Sequence, residues 1–328
     1  MINIKHIIRS QKLRHRIMRL GKFLPDSIMI SLQYRIILGR WPNLKNPKRF
    51  TEWIQWYKIH YRDSKMIMCV DKFEVRKYLK HKGCEKYLNI LYQICKTANE
   101  IDFDSLPQKF VIKTTSGGGG DNVLIIQDKK SIDYAKTIEK VNSWLKKNYS
   151  NTSREWAYSG AASNPKIIVE QYLENQLDIT NTNCKISHKY SIIPELTDYK
   201  FFCFQGNPIV CQLISGRYTD EHIDYYDLEW KRLDGVVGLN KNAKNSLNPH
   251  PKPANFEEMI NLAKRLSEDF PFARVDLYNI NGNIYFGELT FYPGSGYGSF
   301  KPDSYDFELG KYFFINDEKW IKYIQVGK

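Results

Sequence analysis

The sequence of 328 residues lacks several of the features by which function is most often recognised. None of its six cysteines belongs to a Cys-x-x-Cys pair, and no Cys or His spacing is that of a zinc site. This excludes a small disulfide scaffold and indicates a reduced, cytosolic protein. A content of 42% hydrophobic and 14% aromatic residues excludes a disordered chain.

Long apolar runs are also missing. The longest candidate, residues 28–38, is interrupted by Ser31, Gln33 and Arg35, whereas a membrane span needs roughly 18–20 apolar residues. The N-terminus has neither the apolar core nor the small-residue cleavage site of a signal peptide. We therefore expect a cytoplasmic chain. At roughly 150 residues per domain, its length predicts about two domains or one multi-lobed fold.

Acidic residues are almost missing from the first 49 residues, which hold twelve Lys and Arg against one acid, Asp26. This segment accounts for +11 of the formal net charge of +13, so the rest of the chain carries only +2. Its apolar residues form two helical stripes that are rotated relative to each other, which argues against one continuous amphipathic helix. The stripes are Ile4, Ile7 and Ile8, and then Leu13, Ile17, Leu20 and Leu24.

Two interpretations of this basic segment stay open. It can be a solvated helix that packs one apolar face on the body of the protein. Alternatively, residues 1–24 adsorb to an anionic membrane surface, to which each basic residue contributes about 1 kcal/mol. Nucleic acid would attract the same charge, but no recognised nucleic-acid motif is present, so we expect no nucleic-acid partner.

A Walker A loop is absent, and so is any Ser, His and Asp order that would favour nucleophilic catalysis. Instead, Lys113 ends a predicted strand over residues 109–113, and the glycines of residues 117–120 separate it from a second strand over residues 123–126. Such a segment is a hairpin with a flexible loop. Because glycine lets backbone N–H groups approach phosphate oxygens and a lysine adds positive charge, the loop is also a candidate phosphate site.

A second hairpin is predicted around Asn281 and Gly282, with strands over residues 272–280 and 283–291. Strand pairing would bring Asp276 and Glu288 together. Two neighbouring carboxylates repel each other unless a cation bridges them, as Mg²⁺ does. The alternative is that Arg274 pairs with one acid and a backbone donor with the other.

The remaining pattern predicts an α/β (α+β) protein. Asp71 with Glu74, and Asn255 with Glu258, have the spacing of capping boxes that open helices. Further strands are predicted over residues 166–173, 198–204 and 208–215. Asp102 and Asp104 match the Asp-x-Asp motif of metal-dependent glycosyltransferases, but they follow no apolar strand, and a solvated loop is favoured.

The predicted hairpins, strands and charged residues occur in an order that resembles the ATP-grasp superfamily, which includes carboxylate–amine ligases and biotin carboxylase. Four segments resemble more closely the branch typified by TupA of teichuronopeptide biosynthesis. They are Phe50–Trp56, Asp198–Phe204, Arg274–Tyr278 and Phe286–Phe291. The resemblance spans about residues 48–312. It implies an ATP-grasp fold, in which two α+β lobes clasp ATP, with a basic helical N-terminal extension.

The resemblance also implies how the chain is divided. It places a basic helical region at residues 1–48 and an N-terminal helical or α/β lobe at residues 49–106. A lid subdomain with the glycine loop follows at residues 107–173, and a catalytic lobe with the Mg²⁺ site at residues 174–328.

By the same resemblance, a set of residues contacts ATP. Lys72 and Lys113 should contact the α- and β-phosphates, and the loop from Ser116 onward should close over the triphosphate. The adenine should enter a hinge after the strand over residues 166–173. The loop residues are Ser116, Gly117, Gly118, Gly119 and Gly120, and the hinge residues are Glu170, Gln171, Tyr172 and Leu173.

Asp276, Glu288 and Thr290 should hold Mg²⁺. Most of the superfamily has Asn where this chain has Thr290, whose hydroxyl can still bind the ion. Arg217, Lys200 and Arg274 are the expected catalytic residues, with Arg217 placed to stabilise the transferred phosphoryl group.

The implied activity is an ATP- and Mg²⁺-dependent ligase that converts a carboxylate into an acyl phosphate, which an amine then attacks. The expected partners are ATP, an acidic sugar or glycan precursor and an amine. A uronic-acid carboxylate and an amino acid would suit capsule, O-antigen or teichuronopeptide-like cell-surface polysaccharide. The alternatives are an ATP-grasp sugar kinase and a glycosyltransferase of the same pathway. Such an enzyme would be cytoplasmic, either free or peripheral on the inner face of the membrane.

Overall fold

A computed structural model describes most of the chain. The described residues are 23–117, 122–145, 153–174, 196–216, 220–240, 243–315 and 317–325. The predicted stripes at residues 4–20 lie outside them. The α-helices are α1 (Asp26–Leu38), α2 (Phe50–His60), α3 (Ser64–Val70), α4 (Val75–His81), α5 (Tyr134–Leu145), α6 (Trp156–Ala161), α7 (Phe256–Ser267), α8 (Ser304–Gly310) and α9 (Glu318–Ile321).

The strands form antiparallel sheets. They are β1 (Leu91–Cys95), β2 (Phe110–Thr114), β3 (Val123–Ile126), β4 (Ile167–Gln171), β5 (Asp198–Phe204), β6 (Asn207–Ser215), β7 (His222–Tyr226), β8 (Val237–Gly238), β9 (Phe272–Ile280), β10 (Asn283–Thr290) and β11 (Phe300–Lys301). Short 3₁₀ helices occupy Glu85–Tyr87, Ala98–Glu100, Lys129–Ser131 and Pro293–Gly296. The predicted α+β class is confirmed.

The small sheet has the strand order β1-β4-β2-β3. Its β2–β3 hairpin contains the glycine loop, and Lys113 pairs with Val123 beside that loop. Phe110 and Ile112 are buried against Val141 and Trp144 of α5, so the sheet has a hydrophobic core of its own. The hairpin that the sequence predicts is therefore formed.

The large sheet has the order β10-β9-β5-β6-β7. Asn281 and Gly282 join β9 to β10, both at positive φ (52° and 81°), as a tight hairpin turn requires. A β-bulge between Phe286 and Glu288 shifts the register by one residue, so that Asp276 pairs with Glu288. The same Asp276 pairs with Lys200 on the neighbouring β5. Three ionisable residues thus share one face of the sheet.

The described residues pack in two hydrophobic cores, one at the large sheet and one at the small sheet. The large core joins α2, α3 and α4 to the large sheet and to α7. Residues 95–106 pack instead in the core of the small sheet. Residues 49–106 are accordingly divided between two cores, and the segment over residues 91–95 enters the small sheet by pairing with β4.

The two predicted capping boxes have different outcomes. Asp71 Oδ1 accepts the N–H groups of Phe73 and Glu74, both at 2.9 Å, ahead of α4. The prediction for Asn255 is wrong, because its side chain does not cap α7. It bonds to Asn279 and to the Gly282 carbonyl at 2.6 and 2.8 Å, and so ties the start of α7 to the β9–β10 hairpin.

Among the described residues, no helix combines the length and apolar character that crossing a bilayer requires. The five described cysteines are buried free thiols: Cys69, Cys84, Cys95, Cys203 and Cys211.

Candidate functional site

The small sheet contributes an ion pair to the candidate site. Lys113 of β2 donates to the carboxylate of Glu170, which is buried on the adjacent β4. The pairing follows from the antiparallel register, in which Val111 lies opposite Glu170 and Lys113 opposite Ile168. Two residues that the sequence assigns to ATP binding therefore lie in direct contact.

Lys72 lies beside this pair. Its backbone N–H donates to the Thr115 carbonyl at 2.9 Å, which fixes the chain before α4 against the end of β2. Its ammonium group donates to the Gly117 carbonyl at 2.6 Å. Among the described residues, no carboxylate lies within ion-pair distance of Lys72.

The electrostatic surroundings of Lys72 connect the two sheets. Burial lowers the pKa of the Lys72 ammonium, and the neighbouring charge of Lys113 lowers it further, while Glu288 and Glu170 act in the opposite direction. Glu288 belongs to the large sheet, whereas Lys113 and Glu170 belong to the small one. Lys72 is thus the point at which the charged groups of both sheets meet.

The start of the glycine loop has a backbone that favours glycine. Gly117 has φ of 110°, and a Cβ at this position would lie 3.3 Å from Asn122 Nδ2. The Thr114 hydroxyl donates to the buried Ser116 carbonyl at 2.7 Å and tightens the turn. The predicted loop residues Gly118, Gly119 and Gly120 lie outside the described residues.

On the large sheet, Asp276 is buried between two cations. Arg274 Nε and Nη2 donate to its two oxygens, both at 2.7 Å. The ammonium of Lys200 donates to Oδ2 at 2.5 Å and lies 3.6 Å from Asp198. Both predicted catalytic residues of the large sheet that the structure describes therefore contact a predicted metal ligand.

These contacts determine the charge state of Asp276. Burial alone would raise the pKa of its carboxyl, but the charges and hydrogen bonds of Arg274 and Lys200 outweigh burial and lower it. Burial likewise acts to lower the pKa of Arg274, and the Asp276 charge raises it overall. Asp276 is consequently a carboxylate at neutral pH and Arg274 a guanidinium cation, so the protein itself supplies positive charge between the paired acids.

Glu288 and Thr290 complete this face. Arg274 Nη2 lies 3.4 Å from Glu288 Oε1 and 3.1 Å from the Thr290 hydroxyl, which donates to Glu288 Oε1 at 3.2 Å. The Glu288 side chain is 42% exposed, and its second oxygen accepts no hydrogen bond from the described residues. Arg274 therefore contacts all three predicted metal ligands.

The donor chemistry of this face fits Mg²⁺. Asp276, Glu288 and Thr290 offer two carboxylates and a hydroxyl, which are the oxygen ligands that the ion prefers. Within the described residues, no group of three or more His, Cys, Asp or Glu side chains is gathered as a metal centre. Mg²⁺ is commonly bound by one or two carboxylates, while phosphate and water complete the shell.

The predicted adenine hinge follows β4. The Gln171 N–H donates to the Ile90 carbonyl at 2.8 Å, so this backbone donor already has a partner. The Tyr172 hydroxyl accepts from Gln127 at 3.4 Å, and the Lys109 ammonium lies 5.8 Å from its ring. Tyr172 and Leu173 lie beyond the strand, in the segment without regular structure.

Two predicted sites contribute nothing to this cluster. Arg217 lies outside the described residues. The Asp102 carboxylate accepts the N–H of Asp104 at 3.1 Å within an exposed turn. A glycosyltransferase Asp-x-Asp site thus gains no support from its local structure.

Two further residues, Tyr158 and Lys58, were not predicted. Burial raises the pKa of the Tyr158 hydroxyl on α6, and the negative charge of Glu288 adds to this, which places Tyr158 beside the metal face. Lys58 is fully buried and donates to the carbonyls of Ser153 and Ser295 at 3.0 and 2.7 Å, and to the Ser295 hydroxyl at 2.8 Å. Lys58 occupies the helical stripe of Phe50 and Ile54, and this periodicity could have revealed its burial.

The fold is that of an ATP-grasp protein. A family model described as TupA-like ATPgrasp matches residues 52–314. The chain belongs to the TupA-like ATP-grasp family. The resemblance that the sequence motifs indicate is thereby confirmed. Among curated proteins, no match to the chain is found.

Several solved structures are similar to parts of the chain. A D-alanine–D-alanine ligase from Bacillus anthracis is 18% identical with a TM-score of 0.40, over 70% of this chain and 58% of the ligase. A phosphoribosylamine–glycine ligase from Thermotoga maritima is 12% identical with a TM-score of 0.41, over 70% of this chain and 49% of that one. This chain therefore spans about half the length of these two structures.

Proposed function

We propose that the protein is an ATP- and Mg²⁺-dependent carboxylate–amine ligase. The position of Lys72 is the observation that most supports this proposal. Its ammonium contacts only a backbone carbonyl among the described residues, while Glu288 of one sheet and Lys113 of the other influence its pKa. A partly buried cation with no acid partner, placed where two sheets meet, suits a polyphosphate.

The other cations of the site would act on the same polyphosphate. Lys113 and Lys72 would contact the α- and β-phosphates, with the loop residues Ser116 and Gly117 beside them. On the large sheet, Lys200 and Arg274 would contact the phosphoryl group that is transferred. The adenine would occupy the hinge at residues 170–173. Residues 107–173 would then be the lid subdomain and residues 174–328 the catalytic lobe.

Asp276, Glu288 and Thr290 would hold Mg²⁺. When bound, the ion would neutralise charge on the phosphate oxygens. The pKa of Asp276 is already lowered by Arg274 and Lys200, so its carboxylate needs no deprotonation before it can act as a ligand. Arg217 would add a further cation at the transferred group, as the family resemblance implies.

The proposed reaction has two steps. A carboxylate oxygen of the substrate attacks the γ-phosphorus of ATP, the bond from that phosphorus to the bridging oxygen breaks, and ADP leaves. The nitrogen of an amine then attacks the acyl phosphate carbon, inorganic phosphate leaves, and the nitrogen loses a proton. Lys200 and Arg274 would stabilise the negative charge that develops on the phosphoryl oxygens in both steps. No protein nucleophile is required.

We further propose the substrate class. A uronic-acid carboxylate and an amino acid or other amine, joined during cell-surface polysaccharide assembly, is the proposal that the family resemblance supports. The resemblance to the TupA branch and the net charge of +11 over residues 1–49 agree with an acidic glycan or a lipid-linked precursor. The enzyme would act in the cytoplasm, with residues 1–24 at the inner face of the membrane.

An isotope experiment tests the reaction. A panel of uronic acids labelled with ¹⁸O in the carboxylate is incubated with ATP, Mg²⁺ and a panel of amino acids. A ligase must transfer one labelled oxygen into inorganic phosphate, which ³¹P NMR detects as an isotope shift. A phosphorylated sugar that forms without release of phosphate would instead identify a kinase and refute the proposed ligation.

The site assignment needs its own variants. Glu288→Gln and Asp276→Asn should keep the fold, as judged by circular dichroism, and lose Mg²⁺-dependent turnover. Glu308→Gln is the matched control, because Glu308 is an exposed acid whose partner is the surface residue Lys311. Lys113→Ala should weaken ATP binding in a titration. Wild-type turnover in the first two variants would remove the metal assignment.

A further inference from the structure

One face of helix α1 is apolar and exposed. Leu24, Ile28 and Leu32 follow one another at four-residue spacing, and their side chains are 38–48% exposed. Arg35 continues the same face three residues later. The opposite face of the helix is buried in the protein and holds Met29, Ile30, Gln33 and Tyr34. The exposed stripe is thus not required for packing the helix onto the described fold.

Trp41 enlarges this surface. Gly39 ends the helix in the left-handed conformation, and the chain then places Trp41 beside Ile28 and Leu32, with which it lines a shallow groove. The Trp41 side chain is 60% exposed. Within the described residues, nothing covers this group, which we call the α1 face: Leu24, Ile28, Leu32, Arg35 and Trp41. Clustered exposed apolar side chains of this kind mark an interaction surface.

Near the α1 face the acids Asp26 and Asp303 already pair with arginines, Asp303 with Arg40 at 3.2 Å, and the charges left without an ion pair among the described residues are basic. Lys45 and Lys48 follow Trp41, are exposed, and form no ion pair with the described residues. The one acid on the helix, Asp26, already pairs with Arg154 at 3.0 Å. Residues 1–22, which precede the α1 face, contain seven Lys and Arg and no acid. The partner that fits the α1 face is consequently both apolar and anionic.

We propose that the α1 face docks on the surface of a bilayer that contains anionic phospholipid. Trp41, Ile28 and Leu32 enter the boundary between headgroups and acyl chains, where an indole ring is well accommodated. Arg35, Lys45 and Lys48 then lie at the level of the anionic headgroups. This surface is part of the folded body and is separate from the ATP-grasp residues, so the proposal does not depend on the proposed reaction.

Two other occupants are disfavoured by charge. A second copy of the chain on the α1 face would bring two basic segments together, while the acids Asp26 and Asp303 already pair with arginines of their own chain. Residues 1–22 folded back on the α1 face would place their seven cations against Arg35, Lys45 and Lys48. Both arrangements bring like charges close to each other, which is unfavourable. An anionic lipid surface instead places opposite charges close to each other.

Vesicle binding of the full chain tests the proposal. Vesicles of phosphatidylcholine with phosphatidylglycerol are compared with vesicles of phosphatidylcholine alone by co-sedimentation, without ATP. The variant carrying Ile28→Ser, Leu32→Ser and Trp41→Ser should lose about tenfold in partition onto the anionic vesicles. The control variant carries Ile90→Ser and Leu247→Ser, at two exposed apolar residues elsewhere, and should bind as the wild type does.

A second measurement locates the contact. Brominated lipid in the anionic vesicles should quench tryptophan fluorescence of the wild type, and Trp41→Phe should remove most of that quenching. Equal binding by the triple variant and the wild type would overturn the proposal. Wild-type binding that is the same with and without phosphatidylglycerol would also overturn it. A dimer that the triple variant abolishes, with no vesicle binding, would identify a second copy as the occupant. Greater access of acrylamide to Trp41 after deletion of residues 1–22, again without vesicle binding, would identify that segment.

Discussion

Lys58 should make the stability of the protein rise at alkaline pH. It is fully buried on α2, and its ammonium donates to Ser153 and Ser295, while no described carboxylate forms an ion pair with it. Burial lowers the pKa of Lys58 from 10.5 to about 8, and the charge of Glu155 offsets only part of this effect. The folded state therefore binds the Lys58 proton less tightly than the unfolded chain does.

The magnitude follows from proton linkage. Below pH 8 the lysine is protonated in both states, and the folded state bears the whole cost of burying the charge. Between pH 8 and 10.5 the unfolded chain binds more protons than the folded protein, so the free energy of unfolding increases with pH. A shift of about 2.5 pKa units corresponds to about 3.4 kcal/mol. About 2.5 kcal/mol of this should be gained between pH 7 and 10.

The assay compares variants, because many tyrosines and cysteines also titrate in this range. Urea unfolding, followed by tryptophan fluorescence, is measured from pH 7 to 10 for the wild type and Lys58→Met. Ionisation of the other groups cancels in the difference between the two proteins. The wild type should gain about 2.5 kcal/mol relative to Lys58→Met over this range. Lys80→Met, at an exposed lysine of α4, is the control and should follow the wild type.

If the free energy of unfolding changed with pH in the same way for the wild type and Lys58→Met, the argument would be refuted. The Lys58 ammonium would then titrate alike in the folded and unfolded states. The comparison at pH 7 gives separate information. Methionine removes the cost of the buried charge, and it also removes the hydrogen bonds that Lys58 donates to Ser153 and Ser295. The turn at Pro293–Gly296, which follows β10, stays tied to α2 through Gln55, whose amide donates to the carbonyls of Ser295 and Gly296 at 3.1 and 2.8 Å.

Three further predictions concern other contacts. Gly117→Ala should raise the KM for ATP, because φ of 110° is strained for alanine and the new Cβ would lie 3.3 Å from Asn122; steady-state kinetics would test this, and an unchanged KM would contradict it. Gly282→Ala should cost about 1 kcal/mol by urea unfolding, since the turn has φ of 81° and space for a methyl group. Asp306→Ala should cost about 3 kcal/mol, measured as a lower Tm, because it leaves the buried N–H of Thr51 unpaired and removes one of the acids that Arg49 contacts. A Tm within a degree or two of the wild type would oppose this reasoning.

Both hairpins of the site could be predicted because their partners are close in sequence. The turn at Asn281 and Gly282 sets the register of β9 with β10, and a β-bulge between Phe286 and Glu288 shifts it by one residue, so that Asp276 pairs with Glu288. Similarly, Lys113 could be placed at the end of a strand because a glycine run follows directly. In both hairpins the local sequence pattern predicts the strands that the fold contains.

Contacts between distant segments escaped prediction. Asn255 has the spacing of a helix cap, but Asn279 and Gly282 offer it hydrogen bonds from another part of the chain. The pairing of β1 with β4 joins segments about 70 residues apart, and no local pattern reports it. Lys58 was overlooked for a different reason. A lysine is expected to be exposed to solvent, whereas its position on the helix, in line with the buried residues, indicated the core.

The paired acids illustrate how a distant strand changes a local conclusion. From the hairpin alone, Asp276 and Glu288 appear to require a metal ion to offset their repulsion. The neighbouring strand β5 brings Lys200 into register with Asp276, and Arg274 bonds to both of its oxygens, so the repulsion is offset without an added ion. A triphosphate that drew Lys200 and Arg274 toward itself would leave Asp276 buried and unpaired, which is strongly unfavourable. Nucleotide should therefore bind well only when a divalent cation accompanies it, because the cation replaces the positive charge that Asp276 loses.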